Sequence, residues 1–584
     1  MKRTVADKTP STIGEQVTVK GWVHSRRDHG GLIFIDLRDH SGIVQLTINA
    51  DSNAFSLAES LRDEYVISAT GTVAERDAEL KNDNIPTGSV EIMVESLKIL
   101  NKSEPLPFQV NTTQNISEEH RLKYRFLDLR RDKMQLMLRR RAEMYRSIHS
   151  FMDEQEFIEI QTPILANSSP EGARDFLVPS RLHAGQFYAL PQAPQQFKQL
   201  LMVGGVPRYY QLAACFRDED PRADRLYGEF YQLDMEMSFV DDGEEVRSTI
   251  EPLIIDLVEN FAGKTVMNGT VPRIPYERAM DLYGSDKPDL RYDMKLVDLS
   301  EELKNCGFGV FSGAIEKGGV VKAIAVSKSF SRSEIDKLTE LAKKNGAGGL
   351  PYMTVEDGKA TSSIAKFFSD EDLAAIVEKT GAQDGDTLFF GSDKRQKVNK
   401  VLGALRSHFG DELGLKDPNV VALAWILDFP MYESDGKTGK IEISHNPFSM
   451  PKGGLEGLET DDLLTVLADQ YDMVMNGYEI CSGGVRNHNP DIMYKVFGVL
   501  GYDKKYVEDK FGAMLNAFKY GAPPHAGCAF GIDRMFMELM GESNIREVVA
   551  FPKNGSGVDV MTSSPSSVDN EQLKELSLKV KIEE

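Results

Sequence analysis

The stretch Cys215 to Phe239, CFRDEDPRADRLYGEFYQLDMEMSF, decides the fold. Two alternating, mostly apolar segments flank a polar loop dense in Arg and Asp, the pattern of a β-hairpin with a long loop. Arg217 and Glu219 stand two apart at the end of the first segment, so on a pleated strand both side chains project from one face. Gln232, Asp234 and Glu236 repeat that spacing on the return. Paired, the two strands place these polar groups where an ordinary hairpin buries Val or Ile. Two readings follow: a solvated face whose charges pair with one another, or a surface built for a charged ligand. The hairpin alone does not separate them.

With 584 residues the chain is too long for a single core, and three or four domains are expected. Hydrophobic residues at 41% and charged residues at 27% are those of a soluble globular protein. The opening MKRTVADKTPSTIG has no apolar core of a signal peptide, and no run approaches the roughly 20 apolar residues a bilayer span needs. No membrane association and a cytoplasmic location are therefore expected. Cys215, Cys306, Cys481 and Cys528 lie far apart with no C-x-x-C pair, which indicates neither a disulfide framework nor a zinc site. A net charge of -22 argues against indiscriminate nucleic-acid binding. Any RNA must meet a local basic surface, and the segment with Arg125, Arg130, Arg131, Lys133, Arg139, Arg140 and Arg141 is one candidate. The alternative is a helix with a solvated basic face.

Residues 16–105 read as about five short strands with one helical stretch, AFSLAESLRDEY, between the third and fourth, which suggests a Greek-key barrel of the OB type. Such barrels bind single-stranded nucleic acid by stacking bases on aromatics beside basic residues, and Arg26, Arg27, Phe34 and Gln45 are available for this. By pattern alone Phe34, inside an apolar run, belongs to the core. A Pro-containing linker precedes a long helix from Asp132 to about Glu156, then EFIEIQTPIL as a strand closed by Pro163. Glu171 lies in a Pro/Gly-bounded loop, and Gln192, Gln195 and Lys198 follow Pro191 at a helix start. From about Lys295 to Asp417 the texture changes to Gly-rich strands (GFGVF, VVKAIAV), a helix EIDKLTELAKK and an acidic helix. Asp472 and Glu479, seven apart, either face each other from helix end to strand and hold Mg²⁺, which favours one or two carboxylates plus phosphate oxygens, or are unrelated acids. In PPHAGCAFGIDRMFMELMG a Gly-x-Asp-Arg turn enters an apolar helix and places Arg534 near its N-terminus, a seat for an anion.

Taken in order, these segments resemble the class II aminoacyl-tRNA synthetases in their aspartyl form. FRDED with its basic loop and F-x-Q-x-D-x-E resembles motif 2, the helix–strand–Pro segment motif 1, and GIDR motif 3. The resemblance covers nearly the whole chain. It implies a multidomain α+β protein: an OB-fold anticodon-binding barrel (1–105), a hinge (106–132), a class II catalytic domain built on an antiparallel sheet in two halves (133–294 and 418–584, the second with a C-terminal extension), and an inserted α+β domain (295–417). It implies aspartate activation by ATP and transfer to tRNA(Asp). Arg217 and Arg534 are then the catalytic arginines. Glu171, Gln195, Lys198, Arg217, Asp234, His445 and Arg486 hold aspartate, and Arg217, Asp218, Glu219, Glu479, Gly531, Ile532, Asp533 and Arg534 hold ATP. Asp472 and Glu479 bind the ATP-linked Mg²⁺. Arg27, His29, Phe34 and Gln45 meet the anticodon, Phe34 by stacking. Motif 1 implies a homodimer. The insertion resembles a module shared with an amidotransferase subunit, which makes amidotransferase association an expectation.

ATP must be held without a G-x-x-x-x-G-K-[ST] loop or class I signature patterns, since none occurs. The sequence also departs from the family: His445-Asn446-Pro447-Phe448 stands for a common His-His-Pro-Phe, Cys481-Ser482-Gly483-Gly484 for Gly-Gly-Gly-Ser, and Ala193 for a usual Ser. The loop Arg225-Leu226-Tyr227-Gly228-Glu229 is one residue longer than the usual Arg-Gln-Pro-Glu, leaving no clear counterpart for a Gln that contacts ATP. His29 stands where members that charge only tRNA(Asp) usually carry Leu and members that also charge tRNA(Asn) often carry His. The resemblance thus favours dual charging over strict discrimination. Rival readings are a synthetase for asparagine or lysine, against which the Lys198 and Arg486 cations argue, and a non-enzymatic tRNA-binding paralogue, against which the retained arginines and acids argue.

Overall fold

The computed structural model describes residues 3–112, 114–168, 173–434, 439–444 and 446–581. Chain contacts divide it into two compact units, one reaching to Met137 and one beginning at Leu138. No helix among the described residues is long and apolar enough to cross a membrane.

In the first unit, the strands Gln16–Asp28, Leu32–Asp39, Gly42–Asn49, Val90–Asn101 and Val66–Glu75 close into a barrel in that order. The short helix Phe55–Glu59 falls between the third and fourth strands of the chain. The period-2 pattern explains it: Ile33, Ile35, Val44, Leu46, Ile48, Ile67, Ala69 and Ile92 point inward and are buried, while their neighbours face out. Phe34 is one of those neighbours. It sits half-buried on the outer face between Ile33 and Ile35, so the core placement suggested by the apolar run alone is corrected by the pleat. Part of the basic segment after the barrel pairs internally: buried Asp128 receives Arg121 at 3.0 Å, Arg125 at 2.6 Å and Arg131 at 3.4 Å, and Arg130 reaches Glu64 at 2.8 Å. Lys133 and Arg139 are exposed.

The second unit is built on a sheet of eight strands among the described residues, in the order Arg273–Pro275, Leu423–Pro430, Leu467–Met475, Tyr478–Val485, His525–Gly531, Gly228–Ser238, Arg208–Arg217 and Ile158–Glu159. The outermost pair on each side is parallel and all the pairs between are antiparallel. One face buries Trp425, Tyr471, Met473, Leu233, Met235 and Phe530, with Trp425 edge-on to Tyr471 at 5.7 Å and its indole N–H donating to Glu251 at 2.9 Å. The other face carries polar residues and holds the site. The expected strand in EFIEIQTPIL shrinks to Ile158–Glu159, because only these residues find a partner, Tyr209 and Tyr210, at the sheet edge.

Between the two halves, residues 297–412 form a five-stranded sheet with helices on both faces. Arg332–Lys344 and Arg395–Glu412 bury Ile335, Leu338, Val398, Leu402, Leu405 and Phe409 on one side, and Gly309–Glu316 and Asp370–Thr380 bury Phe311 and Ile376 on the other. The segment GFGVF, expected as a strand, instead opens the helix Gly309–Glu316, where Phe311 is fully buried among Phe308, Phe368 and Phe390.

Candidate active site

The hairpin forms as the alternation requires, Arg208–Arg217 pairing antiparallel with Gly228–Ser238. Its register continues across the sheet: Gln211 faces Asp234, Asp234 faces Ala529, Ala529 faces Ser482 and Ser482 faces Asp472. At about 4.8 Å per strand, Asp234 and Asp472 sit three strands, roughly 14 Å, apart along one row. Above that row lies a cavity of about 320 Å³ lined by Gln195, Lys198, Arg217, Glu219, Asp234, Asp472, Glu479, Arg486, Gly531 and Arg534 among others. Ala193, Asn446 and Cys481, three of the departures from the family pattern, also line it.

At the Asp234 end is a buried charge cluster. Lys198, on the helix Gln195–Val203, donates to Asp234 at 2.7 Å and lies 3.4 Å from Glu236. Arg486, just past the strand Tyr478–Val485, grips Glu236 with Nε at 2.8 Å and a terminal nitrogen at 3.2 Å, the two-point fork of a guanidinium on a carboxylate. Two cations thus meet two anions, all four at 2% exposure or less. Burial alone would discharge Lys198, but Asp234 and Glu236 outweigh it and hold the ammonium above its ordinary range. Burial would likewise raise Glu236, and Arg486 and Lys198 pull it below. Asp234 goes the other way: burial raises its carboxyl and Lys198 only partly offsets this. Asp234 Oδ2, the neighbouring Tyr209 hydroxyl and Arg217 Nε are buried with no hydrogen-bond partner among the described residues. Arg217 is steadied by the Phe230 ring, 5.0 Å from its guanidinium carbon.

Gly527 makes this packing possible. A Cβ there would stand 2.0 Å from Glu236 Oε2 and 2.2 Å from the Met235 carbonyl oxygen, so no other residue leaves room for the carboxylate that Arg486 grips.

At the other end Arg534, in the first turn of the helix Ile532–Met540, donates to the Glu479 carbonyl at 2.6 Å and pairs with Asp224 of the hairpin loop at 3.2 Å. Asp472 and Glu479 do not meet from helix end to strand as expected. They lie on the two strands of one hairpin, Leu467–Met475 and Tyr478–Val485, turned at Asn476-Gly477, both of which have positive φ. Glu479 pairs with Lys287 at 2.7 Å. Burial first, and Glu479 second, hold the Asp472 carboxyl well above the usual carboxylate range. Two acids on one cavity wall, the first raised by burial and then by the charge of the second, form a donor set that a divalent cation would relieve.

Other expected residues are placed differently. Glu219 lies beyond the strand end and reaches the cavity from the loop, paired with Arg225 at 2.6 Å. Asp218 turns away, with its carboxylate 3.5 Å from Arg174 and accepting from Tyr227 at 3.2 Å. Ile532 is buried in the core. Asp533 borders the cavity, yet its carboxylate is taken by Arg141 at 2.5 Å and the Tyr231 amide at 2.9 Å, so it anchors the motif 3 helix to the long helix Asp132–Glu154. Glu171 and His445 lie outside the described residues. Sequence reasoning missed Asp224, Lys287 and Gln470, of which Gln470 donates to Asp472 at 3.3 Å.

On the barrel, Arg27 pairs opposite Phe34 and its guanidinium reaches Asp36 at 3.0 Å and Gln45 at 3.2 Å. His29 meets Phe34 edge-on at 5.6 Å. The four expected anticodon residues share this face, and Glu91, which was not singled out, joins them by accepting from Gln45 at 3.1 Å.

Residues 117–555 match the family described as tRNA synthetases class II (D, K and N), and residues 17–100 match the OB-fold nucleic acid binding domain. The chain belongs to the class II tRNA synthetases of the D, K and N group. It is 50% identical to the aspartate–tRNA(Asp/Asn) ligase of Gluconobacter oxydans (strain 621H), over 97% of this chain and 95% of that one. It is 51% identical to the protein of the same name from Acidiphilium cryptum (strain JF-5), over 97% and 96%. Two solved structures share the fold: asparaginyl-tRNA synthetase from Pyrococcus horikoshii complexed with asparaginyl-adenylate (TM-score 0.57, 18% identity, 94% of this chain and 98% of that chain) and aspartyl tRNA synthetase from Entamoeba histolytica (TM-score 0.56, 19% identity, 95% and 92%).

Because the added methyl meets backbone as well as carboxylate, Gly527→Ala is expected to destabilise the catalytic unit by about 1–3 kcal/mol. Guanidinium unfolding followed by Trp425 fluorescence reads this, and an unmoved transition would show that Glu236 has another place to go.

Proposed function

We propose that this chain is an aspartate–tRNA ligase that activates aspartate with ATP and charges both tRNA(Asp) and tRNA(Asn). The observation that carries the reading is the neutral buried cluster with the unpartnered Asp234 Oδ2 and Arg217 Nε on the same cavity. An aspartate entering it brings one side-chain carboxylate to Lys198 and Arg486, one ammonium to Asp234 Oδ2 and Gln195, and an α-carboxylate to Arg217. The side-chain charge and the ammonium cancel, so the buried region stays neutral with the substrate in place. Asparagine brings the ammonium without the carboxylate and leaves a buried positive charge uncompensated, which is strongly disfavoured.

With the α-carboxylate held by Arg217 next to the α-phosphate, in-line attack gives aspartyl-adenylate and pyrophosphate. The 3′-terminal adenosine hydroxyl of the tRNA then attacks the aspartyl carbonyl, forming the ester as the acyl–phosphate bond breaks and AMP and the hydroxyl proton leave. No protein nucleophile takes part, and the barrier falls by positioning and charge neutralisation. Arg534 meets the γ-phosphate in place of Asp224. Asp472 and Glu479 would hold Mg²⁺, which would neutralise phosphate charge.

Dual charging rests on His29 beside Phe34, where a ring with donor and acceptor tolerates either third anticodon base. Aspartyl-tRNA(Asn) is a mischarged product, so a cytoplasmic amidotransferase partner is its necessary consumer. A homodimer is proposed through the motif 1 region, where Ile158, Ile164 and Leu165 are 47%, 51% and 51% exposed.

Arg217→Ala is expected to abolish aspartate-dependent ATP–pyrophosphate exchange while leaving the unfolding transition in place; near-normal exchange would refute the assignment. Purified tRNA(Asn) transcript is expected to be aspartylated at a rate within about tenfold of tRNA(Asp), a difference of about 1.4 kcal/mol. Charging confined to tRNA(Asp) would leave the ligase reading intact and remove the dual one.

A further inference from the structure

The amino-acid pocket continues inward from Gln195 as a line of hydrogen bonds that the charged cluster does not use. Gln195 and Gln199 stand four apart on one helix, where side chains meet, and Gln195 Nε2 lies 3.0 Å from Gln199 Oε1. Gln199 Nε2 lies 3.1 Å from His525 Nε2, and His525 Nδ1 lies 2.8 Å from the Pro523 carbonyl oxygen. Gln199 and His525 are both fully buried.

The direction of each bond follows from the chemistry of its ends. A carbonyl only accepts, so Nδ1 of His525 carries the hydrogen. In the neutral ring Nε2 then has only a lone pair, and Gln199 closes the contact only with its NH₂. That turns Gln199 Oε1 toward Gln195, which answers with its own NH₂. Gln195 is left presenting an oxygen to the cavity it lines. Protonating the ring inverts every link: Nε2–H demands Gln199 Oε1, Gln199 offers NH₂, and Gln195 turns its oxygen inward and its NH₂ to the cavity.

We infer that His525 and Gln199 are positioning residues: the fixed imidazole tautomer, relayed through two amides, makes Gln195 an acceptor where the ammonium group of the amino acid binds. The inference rests on the aspartate reading above. The charged and titratable groups facing the ring are Glu236 of the Gly228–Ser238 strand and Arg486 and His488 of the segment after Tyr478–Val485; the helix Lys504–Phe518 contributes the uncharged Phe518 ring. Burial chiefly, with Arg486 and His488, holds the ring below the ordinary histidine range against Glu236 and the Pro523 carbonyl. The neutral state is therefore in place at neutral pH and is lost as pH falls through that lowered value.

The test is aspartate-dependent ATP–pyrophosphate exchange by the full-length protein between about pH 5.5 and about pH 8, since unperturbed histidine titrates near 6.5. In the wild type KM for aspartate is expected to rise toward acid pH. Gln199→Met, which keeps the length and removes both bonds, should raise it about tenfold at neutral pH, a loss typical of a hydrogen bond to a charged group, with KM for ATP within about twofold. Gln199→Glu should recover most of that affinity and flatten the acid limb, because a carboxylate accepts from Gln195 and from a protonated His525 alike. This variant also keeps the question answerable if the Met form does not fold. An unchanged KM for aspartate in Gln199→Met, a parallel rise for both substrates, or an unaltered acid limb in Gln199→Glu overturns the inference alone. No exchange with aspartate in the wild type overturns it together with the proposed function.

Discussion

The balance of two cations against two anions in a buried cluster is the constraint on which the catalytic unit depends. Lys198, Asp234, Glu236 and Arg486 come from a helix, one strand and the end of another, and none tolerates burial without its partners. Removing one member of such a set typically costs about 3–5 kcal/mol, because a bare charge is left behind. The cluster therefore dictates its surroundings. Gly527 must lack a side chain, the Gly228–Ser238 strand must hold its register so that Asp234 and Glu236 face the helix, and Arg486 must emerge where the Tyr478–Val485 strand ends. The same neutrality makes the pocket selective, since a ligand that disturbs it meets the full cost of an unpaired buried charge.

The sheet then acts as a ruler. A row of facing residues runs from Asp234 to Asp472, with the buried charge cluster at one end and the Asp472–Glu479 acids at the other. In the proposed function these ends take the amino acid and the phosphates. Arg217, at the end of the neighbouring strand Arg208–Arg217, lines the same cavity and keeps a buried Nε with no hydrogen-bond partner among the described residues. Asp224 on Arg534 ties the hairpin loop to the far end of the cavity.

Much of this was legible because strands advertise their faces. Gln232, Asp234 and Glu236 announced a polar face by spacing alone, and the barrel followed from alternation around Ile33, Ile35, Val44 and Leu46. The same rule, applied one residue more strictly, places Phe34 outside. The hairpin joining Asp472 to Glu479 was also written in the chain, as Asn476-Gly477, the pair favoured where both turn residues need positive φ. GFGVF read as a strand because Phe and Val favour strands, yet Phe311 is worth more in an aromatic cluster on a helix. What no local pattern reveals is long-range pairing. Asp533 sits in a motif that suggests phosphate, and only the fold shows Arg141 taking it. Gln199 and His525 are 326 positions apart and individually unremarked.

The most direct measurement of the central claim is the amino-acid dependence of ATP–pyrophosphate exchange by the wild-type protein. The charge-neutral pocket predicts exchange with aspartate and at least about a hundredfold lower kcat/KM with asparagine, which lacks the carboxylate but has nearly the same shape. Exchange with asparagine or lysine at a rate comparable to aspartate would contradict it.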